Sequence, residues 1–137
     1  MQTYVFRLHP NQDLRNSIET WCFNHNLQGV AVVTCVGSLQ HATLRMAGAS
    51  ETITQDGPFE ILSLVGTWTP KGGHFHISLS DKEGQVWGGH LCPNSPIYTT
   101  AEIVLVDIGG HHPSRQHDPN TGYDEFVVGR PQLDIPR

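Results

Sequence analysis

The stretch Gly73-His74-Phe75-His76-Ile77-Ser78-Leu79-Ser80-Asp81-Lys82-Glu83-Gly84-Gln85-Val86-Trp87-Gly88-Gly89-His90-Leu91 reads as two strands on either side of a tight turn. Lys82-Glu83-Gly84 fits a three-residue hairpin loop with Gly84 in the left-handed conformation, and such a loop pairs Asp81 with Gln85. Counting back from that pair sets Leu79 opposite Trp87 and His76 opposite His90. Side chains alternate faces along a strand, so His74 and His76 point the same way, and the register adds His90 to them. Directly opposed residues stand roughly 5 Å apart between Cβ atoms. Three imidazoles gathered in this way suit zinc or another divalent transition metal with a fourth position open. A small organic ligand, or plain surface or interface histidines, are the competing readings. A bulge at Gly88-Gly89 would turn His90 to the other face and remove the site. Cys92, two residues beyond His90, shares its face and is a candidate fourth ligand, although a small buried thiol is the simpler expectation.

Outward from this hairpin, Thr3 to Leu8 alternates as a first strand and Pro10 ends it. Asn11 offers a helix N-cap, Asp13 adds charge to the first turn, and Leu14, Ile18, Trp21 and Cys22 form one apolar stripe on a helix ending near Asn24. Trp21 is expected to anchor the core. Gly29 to Val36 is apolar on both faces, as in a central strand. His41 to Met46, Glu51 to Thr54 and Pro58 to Trp68 supply further strands, broken at Gly37-Ser38, Gly48-Ala49 and Asp56-Gly57, and Ile97 to Ile108 is a last long strand. Short turns between strands imply antiparallel pairing. The expected fold is α+β: a single domain over residues 1–137 with a largely antiparallel sheet of about seven strands and one main helix packed on one face. One helix cannot cover both faces of such a sheet, so self-association is expected. Residues 110–123 read as a polar loop or arm, Tyr123 to Val128 as an optional edge strand, and 129–137 as a tail.

With Lys+Arg 8 against Asp+Glu 13, the formal charge of -5 has the wrong sign for a chain that coats phosphates, so direct nucleic-acid binding is disfavoured. Met1 to Pro10 lacks a basic head and a long apolar run, and no apolar stretch approaches the roughly 20 residues that span a bilayer. A cytoplasmic protein without membrane contact is expected. Cys22, Cys35 and Cys92 include no Cys-x-x-Cys pair, and reduced thiols are the default.

The runs Gly73 to Asp81, Gly88-Gly89-His90-Leu91, Thr100-Ala101-Glu102-Ile103-Val104-Leu105 and Gly57-Pro58-Phe59-Glu60-Ile61-Leu62-Ser63-Leu64 closely resemble the plant-and-prokaryote conserved (PPC) domain family. The resemblance extends from Phe6 to Phe126. It implies an antiparallel sheet fold, assembly as a homotrimer, and a histidine cluster that holds a metal, zinc, in some members. Carried over by position, the metal ligands are His74, His76 and His90. Arg115, Asp118, Thr121, Gly122 and Tyr123 look like the tail of stand-alone prokaryotic members. In plants the domain accompanies AT-hooks, whose Arg-Gly-Arg-Pro core lies in the minor groove of A·T-rich DNA. Here Val128-Gly129-Arg130-Pro131 lacks the leading arginine and sits among Asp124, Glu125 and Asp134, so it is read as fortuitous.

Two functions from different classes follow. The first is a homotrimeric binding or regulatory module with the three-histidine metal or small-ligand site. The second is a zinc-dependent, hydrolase-like enzyme at the same histidines, with an ion-bound water as nucleophile. Its general acid or base is sought at Glu60 or Glu102, which interrupt apolar strand segments, although pairing with Arg45 or Arg7 is the plainer role for both. A DNA-binding protein is the weakest of the three readings.

Overall fold

Phe75, Ile77 and Leu79 alternate with His74, His76 and Ser78, and the chain turns that pattern into a strand with one dry face and one open face. In the computed structural model, which describes residues 1–129, this strand is β4 (Gly72–Ser80). The other elements are β1 (Thr3–Leu8), α1 (Leu14–Asn24), β2 (Val30–Arg45), β3 (Thr52–Thr69), β5 (Val86–Leu91), β6 (Ile97–Asp107), β7 (Pro113–Asp118) and β8 (Tyr123–Val128). Six antiparallel strands form a sheet in the order β1-β6-β2-β3-β4-β5, while β7 and β8 pair separately. The end of β2 also reaches β5, through Leu44↔Leu91 and Arg45↔His90, so the sheet curls back on itself around its core.

The helix covers the inner face. Leu14, Ile18 and Cys22 are fully buried, and with Phe75, Leu79, Leu91, Ile103 and Leu105 they form the dry centre. Each such aliphatic or aromatic side chain stabilises the fold by about 1.5–3 kcal/mol relative to exposure. Trp21, expected as a core anchor, is only partly buried: it stacks between Phe6 (4.4 Å) and His25 (3.8 Å) at the rim. Cys22 and Cys35 are buried thiols whose pKa burial pushes up to about 12, which leaves them unreactive.

The α+β single-domain architecture is as expected, but four local expectations need correction. The helix is capped by Asp13 rather than Asn11: Asp13 Oδ2 accepts from Asn16 N (2.9 Å) and Oδ1 from Ser95 N (2.7 Å), whereas Asn11 takes a positive φ of 71° before the helix. Gly37-Ser38 does not break the chain. It lies inside the 16-residue β2, where a Cβ on Gly37 would collide with the Thr100 carbonyl of β6, so glycine permits close strand approach rather than a turn. Asp56-Gly57 likewise lies within the 18-residue β3, whose irregularities are bulges in pairing and not loops. Residues 110–123, expected as a polar loop or arm, are a regular hairpin arm rather than a loop. After a single 3-10 turn at Gly109–His111 they form most of the β7–β8 hairpin, paired from Pro113↔Val128 to Asp118↔Tyr123. Of the tail expected at 129–137, all but Gly129 lies outside the described residues, as does the Arg130-Pro131 half of the AT-hook-like Val128-Gly129-Arg130-Pro131.

The outer sheet face stays open across much of its area. Val5, Val36, Leu62 and Val65 are each more than half exposed there. Among the described residues no helix is long and apolar enough to cross a membrane.

Candidate functional site

The β4–β5 turn closes as its residues dictate. Asp81 N donates to Gln85 O (3.0 Å), Asp81 Oδ1 accepts from the backbone of Glu83 and Gln85 (2.9 Å each), and Gly84 takes φ 82°. The register is therefore Leu79↔Trp87 and His76↔His90, with no bulge at Gly88-Gly89. Regular alternation leaves His74, His76 and His90 on one face, with one nitrogen from each within 4.8 Å of the others. His74 Nε2 and His76 Nε2 stand 3.0 Å apart, and the rings are 4.8 to 5.6 Å apart between centroids. Two nitrogens on one tetrahedral zinc are about 3.3 Å apart, so the three rings need only small rotations to meet a single ion.

The electrostatics favour neutral ligands over charged ones. Burial, followed by the Arg15 and Arg45 guanidiniums, pushes the His90 pKa down to about 4. Burial, then His76 and Arg115, also lowers that of His74. Both rings thus keep a lone pair at neutral pH, as metal ligation requires. His90 Nε2 lies 3.2 Å from Arg15 Nη1, while its Nδ1 is sealed from solvent with no hydrogen-bond partner among the described residues. An orphaned buried nitrogen costs about 1–3 kcal/mol unless something other than the protein satisfies the ring. The donor set, the neutral rings and this deficit all fit a divalent ion.

Arg15 holds the strands that carry the site. From α1 it donates to Leu91 O (2.6 Å) and Gly73 O (3.0 Å) and pairs with Glu19 (3.3 Å), whose Oε1 accepts from Gly73 N (3.2 Å). Cys92 stays outside the cluster, its thiol donating to His90 O at 3.7 Å. Neither expected carboxylate is there. Glu60 is exposed on β3, five residues or roughly 16 Å along the strand from Val65, the partner of His76. Glu102 is exposed on β6, separated from β4 by β2 and β3, a lateral distance of roughly 14 Å. Their expected ion pairs are absent too: Arg7 faces Glu102 but donates to Thr100 Oγ1 (2.9 Å), and Arg45 turns toward Ala49 O (3.4 Å). The carboxylates that do face the histidines are Asp124 and Glu125 of β8, beside Arg45, Arg115 and Tyr123. Sequence reasoning missed Arg15, whose signal was the Arg15–Glu19 spacing on the polar side of the helix, and Arg45, which depends on the remote β2–β5 pairing.

Comparison with known proteins agrees with this architecture. The model of the Plants and Prokaryotes Conserved (PCC) domain matches residues 1–109, which leaves the β7–β8 hairpin beyond it. Bifunctional protein GlmU of Synechococcus sp. (strain JA-3-3Ab) is 46% identical over 128 residues, covering 93% of this chain and 21% of that protein. AT-hook motif nuclear-localized protein 27 of Arabidopsis thaliana is 29% identical over 121 residues, 77% of this chain and 38% of the plant protein. This chain therefore spans about a fifth of the one relative and under two fifths of the other. Among solved structures, a hypothetical protein from Salmonella cholerae-suis is 34% identical with a TM-score of 0.90, and 93% of each chain is covered. With four fifths of its length matched by the family model and the fold shared almost end to end, the chain belongs to the Plants and Prokaryotes Conserved domain family.

Proposed function

We propose that this chain acts as a cytoplasmic, homotrimeric binding or regulatory module in which His74, His76 and His90 hold a divalent transition metal, zinc by its ligand chemistry, or a small ligand. The observation that carries this is the convergence of three imidazole nitrogens within 4.8 Å on one sheet face. The homotrimer is supported by the family resemblance and by the open apolar face bearing Val5, Val36, Leu62 and Val65, which a second copy would cover. Bound there, the ion would supply Lewis acidity and one open coordination position. The chain's own residues keep two of the rings neutral and fix their strands through Arg15.

A zinc-dependent hydrolase at the same histidines is the second reading. What favours it is the pair of β8 carboxylates lining the cleft, which take the place of Glu60 and Glu102 as acid-base candidates. DNA binding is a weaker reading that rests on kinship with AT-hook proteins and runs against a net charge of -5.

Elemental analysis of the untagged protein, with its mass measured in solution, tests the first proposal. We expect near-stoichiometric metal per chain, lost in His76→Ala and His90→Ala. Absence of metal, and no uptake of added zinc, would reject the metal assignment, and a monomer would reject the trimer.

A further inference from the structure

Three of the eight Lys and Arg side chains in this acidic protein stand around the histidines: Arg15, Arg45 and Arg115. Arg15 is spent on two carbonyls and Glu19. Arg45 is not, and Arg115 keeps one nitrogen over after its bonds to β3 and β4. Arg45 is placed by register, since it lies opposite His90 on the β2–β5 pairing just as His76 does on β4–β5, giving one cross-strand row of His76, His90 and Arg45. Its only hydrogen bond among the described residues is a long one from Nη1 to Ala49 O (3.4 Å), and its guanidinium lies 6.0 Å from the Tyr123 ring.

Arg115 reaches the same place from β7. Its Nε donates to Gly72 O (3.1 Å) and its Nη2 to Thr67 Oγ1 (3.2 Å), while Phe126 lies beneath the guanidinium at 5.7 Å. The remaining Nη1 has no hydrogen-bond partner among the described residues. Among the described residues neither Arg45 nor Arg115 forms an ion pair.

These guanidiniums, with His74 and His90, line a cleft of about 390 Å³, at the small end of the range for small-molecule sites. The Arg45 fork and the remaining Nη1 of Arg115, converging on one cleft, match the planar geometry of an oxyanion. Asp124 and Glu125 form one wall of the cleft; burial lowers the Arg115 pKa, and Glu125 opposes that shift by favouring the charged form. Their own contacts lie elsewhere, Asp124 with His117 (3.5 Å) and Glu125 with Thr121 Oγ1 (2.9 Å). They would repel a phosphate dianion more than a singly charged group.

We propose that this cleft binds a small monocarboxylate, its carboxylate held between Arg45 and Arg115 against the histidine cluster. The adjoining ion rests on the function proposed above, whereas the arginine pair does not require it. The test is acetate binding, followed by saturation transfer to the acetate methyl group in NMR, on zinc-loaded and metal-free protein at fixed ionic strength. We expect saturable binding, weakened about tenfold or more by Arg45→Gln and less by Arg45→Lys. Arg7→Gln, on β1 at the opposite edge of the sheet, is expected to bind as the parent does, and zinc content is expected to be equal in all. Circular dichroism confirms folding, and Arg45→Lys carries the test if Arg45→Gln does not fold. No saturable acetate binding in either form overturns the proposal, as does unchanged affinity in Arg45→Gln or tighter binding of inorganic phosphate. If zinc is not taken up but acetate binds and Arg45→Gln loses it, the carboxylate site stands and the metal assignment falls. Zinc uptake without acetate binding means the reverse.

Discussion

Two hairpins meet at the histidine site, and they are held in opposite ways. β4–β5 is pinned from below by Phe75, Ile77, Leu79 and Leu91, all buried, so its position follows from the packing of the core. β7–β8 has little such ballast. It is tied to β3 and the start of β4 by Arg115, through the carbonyls of Gly72 and Thr67 and the hydroxyl of Thr67, with Phe126 stacked beneath. Among the described residues its charge contact, His117 Nδ1 to Asp124 Oδ1 at 3.5 Å, is well exposed and contributes close to nothing. The histidines therefore sit on the rigid hairpin, while three of the charged groups facing them, Arg115, Asp124 and Glu125, sit on a hairpin tied mainly by one guanidinium. A site built in this way fixes its ligating atoms while leaving one wall free to open.

Breaking the rigid side should have the largest effect. Phe75→Ala is expected to cost about 3–5 kcal/mol of global stability, read as a shift in the urea midpoint. Arg115→Ala should cost about 1–3 kcal/mol and act locally: amide protons of β7 and β8 lose protection from exchange while those of β4 and β5 keep theirs. Equal loss of protection in all four strands would show that the hairpins are one cooperative unit.

The smallest effect, because solvent screens the partly exposed His90 ring, is one of pH. In metal-free protein the folded His90 pKa of about 4 lies below the ordinary value near 6.5, so the unfolded chain binds more protons between those values. Stability is therefore full above about pH 6.5 and falls as the solution is acidified toward pH 4, by no more than about 1.4 kcal/mol per pH unit from this group. His74 adds in the same direction. His90→Ala should flatten that slope in thermal melts across the window, and an unchanged slope would assign the acid sensitivity to other groups.

The same contrast explains what could be read from the residues alone. In β4–β5 the apolar positions alternate and Gly84 marks the turn, so register and shared histidine face follow from local spacing. β8 was legible as the edge strand Tyr123 to Val128, but β7 carries Ser114, Gln116 and His117 with few core contacts, and a polar strand without an apolar stripe looks like a loop. Gly37 and Gly57 resembled breaks because glycine in a turn and glycine at a close strand approach are written with the same letter. Glu60 and Glu102 were chosen for interrupting apolar runs, yet an exposed outer face tolerates a carboxylate without any partner. Arg45 entered the site only through pairing with a strand more than forty residues away, which no local pattern encodes.

The pairing of β1 with β6 joins Thr3 to Val106. On a ribosome, at about 5–20 residues per second, β1 would wait on the order of 5–20 s for the strand that completes it. During that interval the helix can form, but the sheet edge it must cover does not yet exist. The first strand made is among the last to find its place, and for that interval its exposed edge is the part of the nascent chain most open to a chaperone or to a neighbour's strand.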